Sequence, residues 1–411
     1  MNDVPQTIAQ AYVRTTRRLP NKEAVVSADG RRYTYAEVQS EVERLATALH
    51  TLGCQPGDHI AIWLANCPEW VFAEFACALL GLVIVPINAR FRADEAAYVL
   101  KSGRVKVLLM QPKFLSNNYL ERLQEIAAGN LGSGDEANVE SLPELRSIVL
   151  TDGEALPGTV ALLDLLVRAE DSHVELDFEM LAKQRKPQDP VLIFWTSGST
   201  GRPKGAVVPQ ECIGNVWNWS THAAAITEHD RVLTSFPLFY IAGNFWCLLT
   251  AMVQGATLVM SEEFDAGSVV KACAQEEVTV LSGIPTMLKE IVHDPAFEAP
   301  AFASVRVGFF GGASMPYQDI VTLIERIGYD HLLQAYGMTE TQGIAISTTV
   351  NDSREVQLTT CGQPLPGFDL KLIDPDNGDE VAGMGSGEAW FKGRTHLTYF
   401  GMPAEQLQTF Y

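Results

Sequence analysis

Residues 194–205 read FWTSGSTGRPKG, a segment that follows an apolar run at 191–195 typical of a buried β-strand. The ten residues 196–205 hold four hydroxyls, three glycines and one lysine. Glycine lets backbone N–H groups close around an anion, and serine and threonine hydroxyls add donors without charge. Lys204 adds a mobile cation that suits polyphosphate. The composition of this segment therefore predicts a loop that binds phosphate groups.

The alternative interpretation of this segment is an ordinary polar turn between strands, which the density of anion-binding groups argues against. A Walker A loop is a further alternative, but it requires a G-x-x-x-x-G-K-S/T pattern that runs into a helix. Here Pro203 precedes Lys204 and Gly205 follows it, so no helix is expected to begin at the lysine.

Helix and strand patterns alternate on both sides of the loop. Apolar residues at helical spacing predict helices over 35–52, 68–80, 243–253 and 267–274. Short runs that are β-branched or almost free of charge predict strands at 59–64, 83–86, 105–110, 147–150, 191–195, 232–235, 257–260, 279–281, 305–310 and 332–335. Such alternation predicts an α/β fold with parallel sheets covered by helices.

Two segments depart from this alternation. The small, polar stretch 129–141 is predicted to be a surface loop. After about residue 346 we expect no further helix, because short strand patterns at 369–373 and 388–392 replace the helical ones. The residues from 346 onward are therefore predicted to form a small β-rich subdomain.

Composition excludes several classes of protein. The chain has 411 residues, of which 47% are hydrophobic and 19% charged, which argues against disorder. Thirty Lys and Arg against 50 Asp and Glu give a formal net charge of −20. A chain this acidic repels phosphate backbones and anionic lipid surfaces, so we expect no nucleic-acid or membrane-surface partner. A small anion bound at a locally basic loop remains compatible with this charge.

Cysteine usage and the N-terminal sequence bear on location. The seven cysteines include no C-x-x-C pair, and several lie in apolar runs, a pattern typical of buried, reduced thiols. The N-terminus shows no signal-peptide pattern, and no apolar run is long enough to span a membrane. We expect a soluble, cytoplasmic protein without a membrane span.

The loop resembles the signature phosphate loop of the adenylate-forming superfamily, which includes acyl-CoA synthetases, aryl-CoA ligases, luciferases and the adenylation domains of peptide synthetases. Five further segments are similar to family motifs and follow in the family's order: GLVIVPIN at 81–88, PLFYIAG at 237–243, GGA at 311–313, QAYGMTE at 334–340 and CGQPLPG at 361–367. The resemblance covers essentially the whole chain.

This resemblance implies a fold and a reaction. Residues 1–345 are expected to form two intertwined α/β subdomains with helix-covered, mostly parallel sheets, and residues 346–411 a β-rich subdomain built as a distorted barrel. The family activates a carboxylic acid with ATP and Mg²⁺ to an acyl-adenylate, and most members then transfer the acyl group to coenzyme A. The substrates implied are therefore a carboxylic acid, ATP and coenzyme A.

The resemblance also implies roles for particular residues. Lys204, Thr339 and Glu340 are the expected catalytic residues, with Glu340 as the Mg²⁺ ligand. The expected nucleotide-binding residues are Thr196, Ser197, Gly198, Ser199, Thr200, Gly201, Lys204, Gly311, Gly312, Ala313, Gln334, Tyr336, Gly337, Met338 and Thr339. The expected residues of the acid pocket are Tyr240, Gly243, Asn244, Phe245 and Met338.

Structural alternatives exist for some of these residues. Glu340 also fits a solvated acid at the start of a helix, because Thr-Glu-Thr is a plausible capping sequence. Tyr336 also fits a core tyrosine at a strand end, and 311–313 a tight turn. The family motifs around these residues favour the functional interpretation.

Tyr240 stands where the family usually has histidine in its P-L-F-H motif, at a position that gates the acid pocket and the thiol tunnel. We expect a buried Tyr240 whose hydroxyl needs a partner, such as the substrate carboxylate or a water molecule. Peptide-synthetase relatives hold the substrate amine with an aspartate near this position, and residues 239–242 contain no acid. An apolar monocarboxylate, fatty, alicyclic or aromatic, is therefore the expected substrate.

The family pattern continues beyond 398–401 to a T-G-D motif, a hinge and a small C-terminal domain with a second catalytic lysine. The sequence ends at Tyr411, before these elements. Residues 1–411 are therefore expected to correspond to the large N-terminal domain, which alone would adenylate weakly or not at all and form no thioester. Two rival functions remain: a ligase that loads a carrier protein, and a nucleotide- or adenylate-binding module that does not adenylate by itself. The sequence does not indicate an oligomeric state.

Overall fold

The computed structural model describes residues 4–196, 203–393 and 398–402. Its α-helices are α1 (Ile8–Arg18), α2 (Tyr35–Thr51), α3 (Pro68–Leu80), α4 (Ala93–Ser102), α5 (Tyr119–Ile126), α6 (Leu162–Asp171), α7 (Phe178–Gln184), α8 (Ile213–Asn218), α9 (Thr250–Gln254), α10 (Ala266–Glu276), α11 (Pro285–His293), α12 (Tyr317–Ile327) and α13 (Arg354–Thr359). Short 3₁₀ turns cover Gln210–Cys212, Ala299–Phe302 and Thr339–Thr341, and π-helical segments cover Trp219–Ala223 and Ala242–Leu249.

The strands of the described residues are mostly short. They are β1 (Glu23–Val26), β2 (Arg32–Thr34), β3 (His59–Trp63), β4 (Val83–Pro86), β5 (Val107–Met110), β6 (Lys113–Phe114), β7 (Asn117–Asn118), β8 (Gly132–Ser133), β9 (Glu136–Ala137), β10 (Ser147–Leu150), β11 (Val160–Ala161), β12 (Pro190–Thr196), β13 (Lys204–Pro209), β14 (Arg231–Thr234), β15 (Thr257–Met260), β16 (Val280–Leu281), β17 (Val307–Phe310), β18 (His331–Met338), β19 (Gly343–Ser347), β20 (Gln363–Pro364), β21 (Phe368–Ile373), β22 (Glu388–Gly393) and β23 (Thr398–Tyr399).

Two large sheets organise these strands. The first has the order β2-β1-β15-β14-β16-β17-β18-β19-β20, and the second has the order β11-β10-β5-β3-β4-β12-β13-β23. The inner pairs are parallel, and the antiparallel pairs lie toward the ends of the sheets, at β2 and β18-β19-β20 in the first and at β12-β13-β23 in the second. The predicted α/β fold with helix-covered, mostly parallel sheets is confirmed.

Local sequence explains the sharpest element boundaries. Helix α3 begins with Pro68, whose missing N–H is not needed in the first turn, and ends at Gly81, which adopts the left-handed conformation at φ 73°. Helix α2 begins with a capping box formed by Thr34 and Glu37. Almost every residue of α3 is buried, Glu74 among them. Helix α3 therefore runs through the core and carries a carboxyl group into it.

The tail after residue 346 differs from expectation in two respects. A helix, α13, is present, so the expectation of no further helix is wrong; its six residues are too few to display a helical period in the sequence. Strands β21 and β22 pair as an antiparallel hairpin, whereas β20 extends the first sheet and β23 the second. The described strands of the tail thus do not close into a barrel. The division at residue 345 stays a prediction.

The stretch 129–141, predicted to be a loop, contains the small hairpin of β8 and β9. All seven cysteines are free thiols; five are buried, Cys67 is half-buried and Cys361 is exposed. Among the described residues, no helix is both long and apolar enough to cross a bilayer.

Candidate active site

The carboxyl ends of parallel strands from both sheets carry the predicted site segments. In the second sheet, β4 leads to Asn88 and its parallel neighbour β12 leads to the predicted phosphate loop. In the first sheet, β14 leads to 237–243, β17 leads to 311–313, and β18 contains 334–338. Ligands of open α/β sheets bind outside the carboxyl ends of the strands. The topology therefore directs these segments to the edges where such ligands bind.

The predicted phosphate loop lies in the sequence between two antiparallel strands. Thr196 at the end of β12 pairs with Lys204 at the start of β13, and the Thr196 hydroxyl donates to the Lys204 carbonyl oxygen at 3.4 Å. Lys204 begins a strand and not a helix, which agrees with the exclusion of a Walker A loop. The predicted binding residues Ser197, Gly198, Ser199, Thr200 and Gly201 lie outside the described residues.

A cleft of about 560 Å³ opens beside the strand that begins with Lys204. Tyr98, Trp195 and Phe400 are aromatic residues that line it, and Lys204 and Arg104 are cationic residues that line it. The cleft therefore combines basic and aromatic residues beside the start of β13.

Glycines shape the wall formed by 311–313. A Cβ atom at Gly311 would lie only 2.7 Å from the carbonyl oxygen of Ala335, so only glycine fits between β17 and β18 here. Gly312 adopts φ +78°, and both Gly312 and Ala313 are exposed. Residues with little or no side chain thus leave the backbone open to a flat ligand.

The segment 334–338 presents its end to solvent. Gln334 is anchored, because its side-chain amide donates to the Gln357 carbonyl oxygen at 3.0 Å. Gly337 permits close strand pairing, since a Cβ atom there would collide with the Gly343 carbonyl oxygen. Tyr336 is 46% and Met338 41% exposed. The alternative interpretation of Tyr336 as a core tyrosine at a strand end is therefore wrong.

One face of the Tyr336 ring is already covered. Its ring lies 6.0 Å from that of Phe391 on β22, with an interplanar angle of 19°. The stack fixes the orientation of a half-exposed aromatic side chain beside the glycine wall at 311–313.

The turn Thr339–Thr341 holds Glu340 in place. The Thr341 hydroxyl accepts from the Met338 N–H at 3.0 Å and lies 2.9 Å from the Gly343 carbonyl oxygen. Thr339 and Glu340 are half-buried. The Glu340 carboxylate accepts a hydrogen bond from the Tyr399 hydroxyl at 2.5 Å, and burial together with this carboxylate raises the pKa of Tyr399.

Tyr399 connects the two sheets at the site. It lies on β23, which pairs with β13, and the Lys204 ammonium nitrogen is 5.5 Å from its ring centroid. Tyr399 thus contacts both charged residues that were predicted to be catalytic, Lys204 and Glu340. The sequence patterns gave Tyr399 no role, because its strand is two residues long and its partners are far away in the chain.

Tyr240 is not buried as predicted. Its side chain is 49% exposed, and its hydroxyl accepts a hydrogen bond from the Asn88 side-chain amide at 2.8 Å. The prediction of a buried Tyr240 is wrong, because this residue lies at the surface. Its hydroxyl therefore needs no buried partner. The GLVIVPIN motif contained Asn88, but only the folded chain shows that Asn88 orients Tyr240.

The other predicted residues of the acid pocket lie deeper. A Cβ atom at Gly243 would be 2.4 Å from the Pro237 carbonyl oxygen, so this glycine permits a tight turn. Asn244 and Phe245 are fully buried. The structure therefore places Asn244 and Phe245 in the core behind Tyr240 and not on an open surface.

Asn244 leads to a buried carboxyl group that the sequence analysis missed. The Asn244 amide donates to Glu74 Oε2 at 2.5 Å, and Trp70 Nε1 donates to the same oxygen at 3.2 Å. Glu74 Oε1 has no hydrogen-bond partner. Burial raises the pKa of Glu74 to about 7. The only signal for this buried carboxyl group in the sequence is a single glutamate within an apolar run.

The described residues contain no group of three His, Cys, Asp or Glu side chains that could bind a metal ion by themselves. Mg²⁺ needs no such group, because it is commonly bound through one or two carboxylates together with substrate phosphates. The half-buried carboxylate of Glu340 fits that arrangement. The open wall at 311–313 likewise fits a nucleotide base.

The fold and this site define a nucleotide-binding α/β enzyme, and comparison with known proteins identifies its family. The model of the AMP-binding enzyme family matches residues 12–399. The chain is 31% identical over 402 residues to YngI of Bacillus subtilis (strain 168), a provisionally named acyl-CoA synthetase, covering 95% of this chain and 71% of the relative. The chain therefore belongs to the AMP-binding enzyme family.

Further relatives act on different acids. A mitochondrial medium-chain acyl-CoA ligase of Rattus norvegicus, ACSF2, is 28% identical over 420 residues, with 99% of this chain and 67% of the relative covered. A Rhodococcus jostii (strain RHA1) ligase is named for a propanoyl group on a methyl-dioxo-octahydroindene ring. It is 30% identical over 377 residues, with 91% of this chain and 70% of the relative covered.

The fold is shared with a solved CoA ligase. The anthranilate CoA ligase AuaEII, in complex with anthranoyl-AMP, superposes with a TM-score of 0.82 at 22% identity, covering 99% of this chain and 72% of that one. Together with the family match, these relatives assign the chain to the acyl-CoA ligases, which activate a carboxylic acid to an acyl-adenylate and ligate the acyl group to coenzyme A.

Proposed function

We propose that Lys204, Thr339 and Glu340 carry the adenylation of a carboxylic acid with an apolar skeleton, and that Glu340 holds Mg²⁺ beside the nucleotide. The observation that carries this proposal is the contact of Tyr399 with both Glu340 and Lys204, which belong to different sheets. The proposed metal ligand thus accepts a hydrogen bond from the Tyr399 hydroxyl, and the proposed phosphate-binding cation lies over the ring of the same tyrosine.

The chemistry requires charge neutralisation and no general base. A carboxylic acid with a pKa near 4–5 is already ionised at neutral pH, as Asp and Glu side chains are. Catalysis then consists of positioning the carboxylate and stabilising the charge that develops on phosphate oxygens. Bound ATP supplies the electrophilic phosphorus and the pyrophosphate leaving group. Lys204 and the Thr339 hydroxyl are the donors that this chain offers to phosphate oxygens.

Nucleotide binding is assigned to the wall at 311–313 and to Tyr336. The wall presents backbone without obstructing side chains, and Tyr336 offers aromatic surface for stacking. Gln334, Gly337 and Met338 are proposed to shape the same strand end. The loop residues Ser197, Gly198, Ser199, Thr200 and Gly201 are proposed to contact the phosphates on the basis of the sequence motif alone.

The acid is proposed to bind between Tyr240 and Met338, both of which are exposed. Medium-chain and ring-bearing acids are the substrates named for two relatives, and both have apolar skeletons. Coenzyme A is the proposed acceptor, and a cytoplasmic location is proposed because all seven cysteines are free thiols.

Acid-dependent exchange of labelled pyrophosphate into ATP tests the adenylation, and formation of an acyl thioester with coenzyme A tests the second step. Both are measured in the full-length protein with octanoate and with cyclohexylpropanoate. Exchange that requires the acid and Mg²⁺ is the expected result. Nucleotide binding without any exchange would identify an adenylate-binding module, and thioester formed with a carrier protein but not with coenzyme A would change the acceptor.

Truncating Tyr240 is expected to change which acids react. In Tyr240→Ala the half-exposed ring that borders the proposed pocket is lost, so kcat/KM for exchange should shift toward bulkier acids by roughly tenfold relative to octanoate. Binding of ATP should change little. The measurement is the ratio of kcat/KM for a bulky and a small acid.

Tyr240→Phe is the matched control, because it keeps the ring and removes only the hydrogen bond from Asn88. In Tyr240→Phe the ratio of kcat/KM for the bulky acid to that for the small acid should stay near the wild-type value. Equal losses for all acids in Tyr240→Ala, together with weaker ATP binding, would show that Tyr240 supports the scaffold instead of selecting the acid.

A further inference from the structure

Two buried side-chain amides meet behind the Thr339–Thr341 turn. The Asn215 amide on α8 donates to Gln342 Oε1 at 3.4 Å, and both residues are at least 97% buried. Asn215 Oδ1 and Gln342 Nε2 have no hydrogen-bond partner. If both amides are flipped, so that oxygen and nitrogen exchange places, one donor and one acceptor still have no partner. The pair is therefore incomplete in either assignment.

A third polar atom without a partner lies at the same turn. Trp246 Nε1, on the π-helical segment Ala242–Leu249, has no hydrogen-bond partner. A Cβ atom built on Gly343 would be 3.2 Å from Trp246 Nε1, and Gly343 directly follows Gln342. The two donors and one acceptor without partners thus belong to the side chains that contact two consecutive residues, Gln342 and Gly343.

These atoms lie next to the elements assigned to the acid. The π-helical segment begins two residues after Tyr240, and the turn Thr339–Thr341 begins directly after Met338. Trp246 is only half-buried, so its ring borders accessible space although its nitrogen does not. π-helical segments occur frequently at functional sites. Gln342 also holds a left-handed conformation at φ 53°, which non-glycine residues seldom adopt.

Leaving such groups unsatisfied is unfavourable. A buried donor or acceptor that finds no partner keeps its full desolvation penalty, and here two such atoms belong to the Asn215–Gln342 pair and the third lies beside the next residue, Gly343. Buried polar groups are normally paired with protein, water or ligand. A ligand that brings hydrogen-bonding atoms to the turn would satisfy them.

We propose that Asn215, Gln342 and Trp246 form a polar subsite for an uncharged oxygen, a ketone or hydroxyl, carried by the acid at a distance from its carboxylate. The inference rests on the proposed function and narrows its substrate class to oxygenated acids with an otherwise apolar skeleton. The three side chains are uncharged, so they suit a neutral oxygen and not an ammonium group or a second carboxylate. Two donors match the two lone pairs of a carbonyl oxygen.

The subsite should discriminate by hydrogen bonding. A site built to hydrogen-bond a substrate group disfavours the analogue that lacks it, because its buried polar atoms are then left unpaired. Shape alone distinguishes a ketone poorly from the corresponding methylene. Preference between two acids of equal size therefore isolates the polar contribution.

The test compares cyclohexylpropanoate with its ring-ketone analogue in acid-dependent pyrophosphate exchange by the full-length protein. The wild-type protein should favour the ketone by tenfold or more in kcat/KM. Trp246→Phe keeps an aromatic ring, though a smaller one, where the indole packs edge-to-face on Phe309, and it removes the N–H. This variant should lower the kcat/KM preference for the ketone acid about tenfold, which is the effect of losing one neutral hydrogen bond.

Trp219→Phe is the matched control. Trp219 also packs edge-to-face on Phe309 and also has an unpartnered Nε1, but it belongs to the neighbouring π-helical segment Trp219–Ala223. In Trp219→Phe the ratio of kcat/KM for the ketone acid to that for cyclohexylpropanoate should equal the wild-type ratio. Gln342→Gly is a second test variant, since glycine accepts the left-handed conformation while the amide is removed.

A wild-type ratio near one, or a ratio that neither Trp246→Phe nor Gln342→Gly lowers, overturns the subsite and marks the three groups as binders of structural water. An equal fall in Trp219→Phe overturns it as well, because the effect would then be one of packing. Failure of both acids to support exchange would refute the proposed function instead, which separates the two conclusions.

Discussion

Replacing Glu340 with glutamine is expected to reduce acid-dependent pyrophosphate exchange by about 10²–10³-fold, the loss typical for one preorganised electrostatic contact at a reacting centre. Glutamine keeps the side-chain volume and an oxygen that can accept from the Tyr399 hydroxyl. It removes the negative charge that a hard cation prefers. Activity should therefore fall without loss of the fold, measured by exchange across a Mg²⁺ titration and by thermal denaturation.

Glu388→Gln is the control for this variant. Glu388 is also a carboxylate that accepts from an aromatic side chain, Trp390 Nε1 at 3.1 Å, but it is exposed on the β21–β22 hairpin. Exchange by Glu388→Gln should match the wild-type rate. An unchanged rate and an unchanged Mg²⁺ requirement in Glu340→Gln would contradict the metal-binding role.

Replacing Glu74 with glutamine is expected to stabilise the protein at pH 8 by roughly 3 kcal/mol. The pKa of Glu74 is about 7 in the folded chain, against 4.5 for the unperturbed group. The stability that this group contributes is thus fully present below pH 4.5 and is lost as pH rises to 7. Glutamine is uncharged at every pH, and its oxygen can still accept from Asn244 and Trp70.

Chemical denaturation at pH 5 and pH 8 measures this effect. The advantage of Glu74→Gln should shrink below about 1 kcal/mol at pH 5, where the wild-type carboxyl is mostly protonated. Glu69→Gln, on the same helix, is the control: it loses an ion pair with Arg31 at the surface and should change stability by at most about 1 kcal/mol. A Glu74→Gln variant no more stable at pH 8 than the wild-type protein would show that the buried carboxylate is compensated.

Much of the fold could be predicted from the sequence because its signals are local. Helix α3 was predicted with its observed bounds, since Pro68 and Gly81 mark its ends. Strands β4, β10 and β15 also match their predicted ranges, because each is a short, largely apolar run with a glycine or polar residue within two positions of each end. Helix α13 was missed because six residues do not establish a period.

The candidate site was predictable as segments but not as contacts. Motif similarity identified the segments that carry Lys204, Tyr240 and Glu340. It could not identify the partners of these residues, because Asn88 is 152 residues from Tyr240 and Tyr399 is 59 residues from Glu340. The polar atoms around Gln342 are likewise visible only when α8, the π-helical segment and the turn are brought together by packing.

Antiparallel pairing on both sides of β13 constrains how homologous chains can vary in length here. Thr196 and Lys204 face each other across β12 and β13, while β23 pairs with the opposite edge of β13. Insertions or deletions between these two residues leave both anchors in register. A single-residue insertion within β13 would instead turn every side chain beyond the insertion to the opposite face of the sheet. Pairing of the strands alone therefore tolerates a change in loop length better than a change within β13, so any restriction on the length of the loop has to come from ligand binding and not from the fold.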